Sequence, residues 1–416
     1  MPQYIRLKEK CLRVDGASRS AIYDLYSGRV YSINPSAKKI LERTGKSDAP
    51  IRNSRFIKQL KELDLIDISE VPFEHNGNPQ LLQPFPWLTF FWLEITSRCN
   101  LRCLHCYGDC FAGKQQNSEL SVEDWKRVID EGRGLNCGSL QFIGGEPLLH
   151  TGLFDLITYA RKKNYTFIEI FSNLTLYQKD FVSFLKEQGV HIATTLYSSN
   201  PETHDRITQS RGSQKKTVEA ILHLRENEVP LRVAIITMRQ NQDDLKETVQ
   251  FLKELGVDFK MPDPVRPTGR GCSREVIPQN LPREFSGEMD CPNFFTDEYS
   301  FRFNQQYNNC WAGKMAITSE GKAIPCIFAR DQVIGDVMRQ GLKEIIDHGE
   351  LHRLWRITKD VVETCRQCEY RYACHDCRPL AYGLRNNLFA KPPRCHYDPM
   401  RGKWKKRKFN FLRRGG

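Results

Sequence analysis

Ser97-Arg-Cys99-Asn-Leu-Arg-Cys103-Leu-His-Cys106-Tyr-Gly-Asp-Cys110 follows directly on the apolar run Trp87-Leu-Thr-Phe-Phe-Trp-Leu93. The run and the residues up to Thr96 read as a β-strand, and the cysteines as the loop at its C-terminal end. Thiolates at the spacing of Cys99, Cys103 and Cys106 can hold three corners of a 4Fe–4S cluster. One iron then lacks a protein ligand and is open to a small molecule. The alternative on this spacing alone is a structural zinc knuckle closed by a fourth ligand such as His105.

A second element stands one strand further on. Strand two, Ser139–Gly144, ends in Gly144-Gly145-Glu146-Pro147. Two glycines permit a close backbone approach, and a carboxylate there can receive an ammonium group. Read alone, the four residues are a strand-to-loop turn. Next to a three-cysteine loop they point to a ligand-binding rim.

Working outward, the unit of short apolar strand and amphipathic helix recurs six times. The strands fall near residues 89–96, 139–144, 166–172, 191–197, 231–238 and 258–265. Helical spacing joins them, as in Trp125, Val128 and Ile129, or Leu245, Val249 and Leu252, and Ser121 is placed to cap the first helix. Such alternation predicts an α/β fold with a parallel sheet and right-handed crossovers. Six units predict a partial (β/α)6 barrel, with its chemistry at the C-terminal ends of the strands.

The chain has 416 residues, 40% hydrophobic and 27% charged, so it is globular in composition. Mean hydropathy is −0.54. The most apolar stretch is too short to span a bilayer, and MPQYIRLKEK has no apolar signal region. No membrane association and a cytoplasmic location are expected. The net charge of +12 falls to +4 once the last 16 residues, RGKWKKRKFNFLRRGG, with eight Lys/Arg, are set aside. The basicity is a tail, and no nucleic-acid partner is expected. Fifteen cysteines in such a chain argue for metal or cluster binding over disulfides.

Residues 1–71 read as a small β-sheet followed by helices, a winged-helix-like shape, with strands in IRLKEKCLRVD and SAIYDLYSGRVYSIN. Helices are expected over SAKKILERT and RFIKQLKELDLI. Residues 72–86 read as a Pro- and Asn-containing linker and 87–290 as the barrel. Residues 291–400 are rich in cysteine and poor in periodic pattern, so metal must help to hold them. Residues 401–416 are the basic tail. The C-terminal cysteines are Cys310, Cys326, Cys365, Cys368, Cys374, Cys377 and Cys395, with Gly321 standing in Gly-Lys-Ala-Ile-Pro-Cys326. A zinc ribbon is the alternative reading of these pairs.

Through CNLRCLHC and GGEP on six β/α units, residues 87–270 resemble the radical S-adenosylmethionine (SAM) superfamily. The resemblance implies that SAM chelates the open iron, and that its C5′–S bond is cleaved to a 5′-deoxyadenosyl radical. Tyr107 would sit against the adenine. Gly144, Gly145, Glu146, Ser172, Asn173 and Thr195 would contact SAM. Tyr197 stands where many members carry an Asp, which lowers the sulfatase-maturing reading. The C-terminal cysteines resemble the SPASM domain with two auxiliary 4Fe–4S clusters, three clusters in all. Cys365, Cys368, Cys374 and Cys395 would hold the outer one. Cys310, Cys326 and Cys377 would hold the inner one, with Cys291 as its candidate fourth ligand. The Cys374–Cys377 gap is one residue shorter than usual.

Residues 1–71 resemble a RiPP recognition element, which binds a leader peptide as an added strand. The combination implies a maturase of a ribosomally made precursor peptide. It would form a thioether, C–C or C–O crosslink and be served by a flavodoxin- or ferredoxin-type electron donor. Peptide epimerisation and formylglycine formation are the alternatives within enzymes, and a zinc-stabilised nucleic-acid binder the one outside them. Five cysteines remain: Cys11, Cys110, Cys137, Cys272 and Cys291. A free thiol among them could donate a hydrogen atom in an epimerase, with a buried or spectator thiol the alternative for each, and Cys272, just beyond the sixth strand, is the one to test.

Overall fold

The computed structural model describes residues 4–44, 55–71, 73, 88–113, 119–279, 281 and 294–404. Cys291, most of the linker and the tail from residue 405 lie outside them.

The N-terminal module opens with β1 (Tyr4–Leu7), β2 (Cys11–Asp15), β3 (Ser20–Asp24) and β4 (Val30–Ile33), followed by α1 (Pro35–Thr44), α2 (Arg55–Glu62) and β5 (Ile66–Ser69). Strands β2, β3 and β4 form an antiparallel sheet, and β1 pairs with β5. Asn34 caps α1, its Oδ1 accepting from the Ala37 N–H at 2.8 Å. Ile5, Ile22, Ile33, Leu41, Ile57 and Leu60 close a core between sheet and helices.

The barrel strands are β6 (Phe90–Thr96), β7 (Ser139–Gly144), β8 (Phe167–Phe171), β9 (His191–Thr195), β10 (Leu231–Ala234) and β12 (Asp258–Phe259). They are parallel and neighbours in that order. The joining helices are α3 (Val122–Gly134), α4 (Leu153–Lys162), α5 (Phe181–Glu187), α6 (Pro201–Thr208), α7 (Ser213–Glu226) and α8 (Leu245–Glu254). Two short strands, β11 (Ile236–Thr237) and β13 (Asp263–Pro264), pair beyond the ends of β10 and β12. Ser121 and Asp124 form a reciprocal capping box at the start of α3, at 3.1 Å in both directions. Strand β6 opens with a continuous apolar run, Phe90–Leu93, because both its faces are used. Phe91, Leu93 and Ile95 are fully buried in the core, while Phe90 and Trp92 face the barrel interior.

The cysteine-rich region has more regular structure than its sequence suggests. Helix α9 (Glu298–Gln306) leads to β14 (Lys314–Ile317), β15 (Lys322–Ile324) and β16 (Gly335–Asp336). Strand β14 pairs in parallel with β6, Lys314 opposite Phe90, so one nine-stranded sheet runs through barrel and cysteine-rich region. Helices α10 (Leu342–Asp347), α11 (Glu350–Trp355) and α12 (Arg378–Arg385) follow. Last come β17 (Tyr397–Asp398) and β18 (Lys403–Trp404), an antiparallel pair. Lys403 and Trp404 therefore belong to the fold, although the tail was expected to start at 401. The Trp404 ring stands 4.9 Å from that of Tyr397.

The N-terminal sheet also packs on the cysteine-rich region. Val14, Ala21, Tyr23 and Leu25 share a core with Phe301 and Ala373. The Tyr23 hydroxyl donates to the Glu369 carbonyl at 2.8 Å, and the Ala17 N–H to that of Gln367 at 2.8 Å.

A candidate cluster and SAM site at the barrel mouth

The loop after β6 is anchored before its first cysteine. Glu119 accepts from the Ser97 N–H at 2.6 Å and the Ser97 hydroxyl at 2.8 Å. Cys99 is buried and Cys103 and Cys106 half-buried. Backbone N–H groups are aimed at two of the sulfurs, Leu101 at Cys99 Sγ (3.4 Å) and Cys110 at Cys106 Sγ (3.3 Å). The Asn173 amide lies 3.9 Å from Cys99 Sγ. Tyr197 makes a side-chain hydrogen bond with Cys103.

Burial pushes the Cys99 thiol up to about 12 and raises that of Cys103 as well. The hydrogen bond with Cys110 draws the Cys106 thiol down, to about 6. The raised Cys99 and Cys103 sulfurs become thiolates only with a compensating positive charge, which iron supplies. Among the described residues no three His, Cys, Asp or Glu side chains gather closely enough for a single ion. A cubane suits that spread better, because each thiolate sits on its own iron.

Arg270, from the far end of the barrel, closes the loop. Its Nε donates to the Cys103 carbonyl and one terminal nitrogen to that of Cys110, both at 2.9 Å, while the other terminal nitrogen pairs with Asp109. Its own N–H donates to the Cys106 carbonyl at 3.0 Å.

The GGEP turn does something other than expected. A Cβ on Gly145 would stand 1.9 Å from the Arg98 carbonyl oxygen, and one on Gly144 would stand 2.3 Å from that of Thr96. The glycines admit the backbone of the cysteine loop itself. Glu146 is fully buried, and its carboxylate accepts from Leu148 N (3.0 Å), Asn173 N (2.8 Å) and Ser172 Oγ (2.7 Å). Burial pushes that carboxyl up to about 7. Oε1 takes two of these donors and Oε2 one, where the sequence led us to expect a carboxylate receiving an ammonium group. Glu146 instead pins the end of β8 to the end of β7.

A cavity of about 610 Å³ opens over these parts. Cys99, Cys103, Cys106, Tyr107, Gly144, Gly145, Ser172, Asn173 and Thr195 all line it; Glu146 does not. The Tyr107 hydroxyl is buried with no hydrogen-bond partner, and its ring meets Phe328 edge-on at 5.3 Å. These residues fit a cluster with a small molecule on its open iron. Cys272 is exposed on a short turn and absent from the lining, which corrects its expected place at the reaction centre. Cys110 is the spare thiol that reaches the cavity.

Sequence reasoning missed the floor of this cavity. Gln141, Glu169 and Arg232 project inward from β7, β8 and β10, and Arg232 grips Glu169 with two bonds of 2.7 and 2.6 Å. The inward alternation of the strands was the available signal. At the wall, Asp263 joins Arg266 and Arg394, and Arg266 also bonds Cys377.

The C-terminal cysteines separate into two groups. Cys310 and Cys377 are hydrogen-bonded, and Cys326 acts on both electrostatically. Cys365 and Cys374 feel Cys395 and each other, and Cys368 feels Cys365 and Cys374. Two buried groups of thiols, three and four, fit two auxiliary clusters.

Comparison with known proteins agrees with this geometry. Residues 93–252 match the radical SAM superfamily, and residues 310–369 match the SPASM iron–sulfur cluster-binding domain. An AdoMet-dependent heme synthase of Methanosarcina barkeri (strain Fusaro / DSM 804) is 27% identical over 336 residues, 74% of this chain and 95% of that one. The antilisterial bacteriocin subtilosin biosynthesis protein AlbA of Bacillus subtilis (strain 168) is 23% identical over 407 residues, 94% of this chain and 86% of that one. Streptococcus suis SuiB bound to S-adenosylmethionine superposes with a TM-score of 0.59 at 14% identity, covering 94% of this chain and 100% of that one. SuiB is also known bound to its precursor peptide SuiA. The chain is a radical SAM enzyme with a SPASM domain. Among the described residues no helix is long and apolar enough to cross a membrane.

Proposed function

We propose that this radical SAM enzyme modifies a ribosomally synthesised precursor peptide, forming a thioether, C–C or C–O crosslink. The observation that carries the reading is the N-terminal sheet-and-helix module packed on the SPASM region. The two relatives matched over 94% of this chain, AlbA and SuiB, are matched through most of that module, and SuiB binds a precursor peptide. The heme synthase is matched by only 74% of the chain.

Cys99, Cys103 and Cys106 would hold one cluster, with two further clusters on the C-terminal thiols. Bound there, clusters and SAM would supply a 5′-deoxyadenosyl radical and an acceptor for the electron released on crosslinking. The chain's own part is positioning. Gly144 and Gly145 hold the cysteine loop against the sheet, and Tyr107, Ser172, Asn173 and Thr195 shape the SAM-facing wall. The apolar interior face of Phe90, Trp92 and Phe171 keeps water from a radical intermediate.

The leader would pair with an edge of the β2–β3–β4 sheet. Strand β4 bonds to β3 on one side, and on the other the bridge between Arg29 and Phe295 touches only its beginning. An electron donor of flavodoxin or ferredoxin type completes the system. A cytoplasmic location suits an enzyme whose clusters need thiols kept reduced.

Anaerobic co-expression with a candidate precursor in heavy water tests the reading. Loss of two hydrogens per event is the expected result. Gain of one deuteron without other change would mean epimerisation, and an unaltered peptide would overturn the proposal.

A further inference from the structure

Between the two groups of SPASM thiols lies a buried ionic triad that the site described above does not use. Cys374-His375-Asp376-Cys377 places one thiol in each group, with Asp376 between them. Lys359 Nζ stands 2.8 Å from Asp376 Oδ2, and the Arg378 guanidinium reaches the same oxygen. Lys359 is 7% exposed and Arg378 1%. A small cleft beside them is walled by Cys310 of the inner group and Cys374 of the outer.

Two cations share one carboxylate, so the triad carries a net positive charge in a water-poor interior. Burial works against the charge on Lys359, and the Asp376 carboxylate at 2.8 Å offsets it. Arg378 is committed elsewhere as well, donating to the Leu388 and Ala390 carbonyls at 3.0 and 2.9 Å. Lys359 is the cation that lines the cleft together with Cys374 of the outer group. A lone buried charge is costly, and a buried pair seldom adds stability. An excess cation here makes physical sense if an anion stands next to it.

We propose that Lys359 is a positioning charge for the outer auxiliary cluster, raising its reduction potential relative to a neutral wall between the two clusters. Reduction adds one electron and no proton, so the reduced cluster carries one more negative charge. A cation that lines the same small cleft as Cys374, in a low-dielectric wall, favours that form. The inference concerns a potential and stands or falls apart from the peptide reading.

The test is a potentiometric titration, followed by electron paramagnetic resonance, of the anaerobically reconstituted full-length enzyme. Cys368→Ala, which removes the outer cluster, identifies that cluster's signal. Lys359→Met keeps the side chain's length without the charge and should shift the outer midpoint to more negative potential. Lys359→Arg should restore most of the shift, and the SAM-binding cluster should not move. Asp376→Asn removes the counter-charge and should shift the outer midpoint the opposite way. An unchanged midpoint in fully iron-loaded Lys359→Met would overturn the proposal. Should that variant lose its outer iron, the absence of a positive shift in Asp376→Asn would overturn it instead.

Discussion

The α-carbon of Gly145 lies so close beneath Arg98 that a methyl group on it would meet the Arg98 carbonyl oxygen at 1.9 Å. The neighbour is backbone and cannot rotate away, and the Glu146 N–H donates to that same carbonyl at 2.8 Å. The second strand's turn and the first strand's cysteine loop are therefore one rigid piece.

Gly145→Ala should force the cysteine loop off the sheet. We expect the iron of the SAM-binding cluster to be lost and 5′-deoxyadenosine formation to vanish, with SPASM iron retained. Gly134→Ala, where an added Cβ meets nothing within 4 Å at the end of α3, is the control. It should be neutral or stabilising by about 0.5–1 kcal/mol.

Changing Cys99, Cys103 or Cys106 to Ala should abolish SAM cleavage. Changing Cys365, Cys374 or Cys395 to Ala should lower iron by one cluster and leave uncoupled SAM cleavage intact. Continued 5′-deoxyadenosine production by Cys103→Ala would refute the site assignment.

Glu146→Ala strips the acceptor from the Leu148 and Asn173 N–H groups and the Ser172 hydroxyl at once. Each buried group left unpaired costs roughly 1–3 kcal/mol, so thermal unfolding should show a large loss of stability. The KM for SAM should rise as Ser172 and Asn173 lose their support. A variant with wild-type melting and KM would contradict the pinning role.

Gly16 lies against the loop around Cys368. A Cβ there would meet the Gln367 carbonyl oxygen, the Glu369 N–H nitrogen and the Glu369 carboxylate, each at 2.9 Å. Gly16→Val should loosen the outer cluster, seen as partial iron loss, while SAM cleavage persists. Removing the whole N-terminal module should do the same more completely. Full iron content without the module would show that the two regions are independent.

Truncation after Trp404 should leave stability unchanged. Truncation after Met400 removes β18 and the Trp404 ring from its place against Tyr397, Tyr370 and Phe294. Losing a packed Trp costs up to about 3–5 kcal/mol where it is fully buried. A clear fall in the unfolding midpoint is expected, and equal midpoints for the two truncations would contradict the packing.

The cysteine loop, the glycine turn and the six-unit barrel were legible because spacing and period are local properties. The nine residues from Cys99 to Thr195 that share one cavity could be named from the chain alone. What was not legible depends on contacts across long separations. Arg270 closes the cysteine loop from more than 160 residues away, and no local pattern marks it. The GGEP glycines were read as admitting a ligand close to the backbone, whereas the backbone that approaches them is that of the cysteine loop, a tertiary fact no local pattern shows. The three donors to Glu146 were not legible either, because an isolated carboxylate looks the same in sequence whether it faces a ligand or the protein's own N–H and O–H groups. Cys272 looked better placed than Cys110 for want of a third dimension. Strand β14 was missed because a four-residue strand among cysteines has no period to detect. It forms because β6 offers it an edge.

Isotope transfer tests the central claim most directly. Reconstituted enzyme, SAM and a chemical reductant would be combined with a candidate precursor peptide carrying deuterium on its side-chain and α carbons. The account predicts deuterium in 5′-deoxyadenosine, dependent on Cys99, Cys103 and Cys106. Deoxyadenosine that stays unlabelled with the peptide, but turns over with a haem precursor, would contradict it and favour the chemistry of the heme synthase relative.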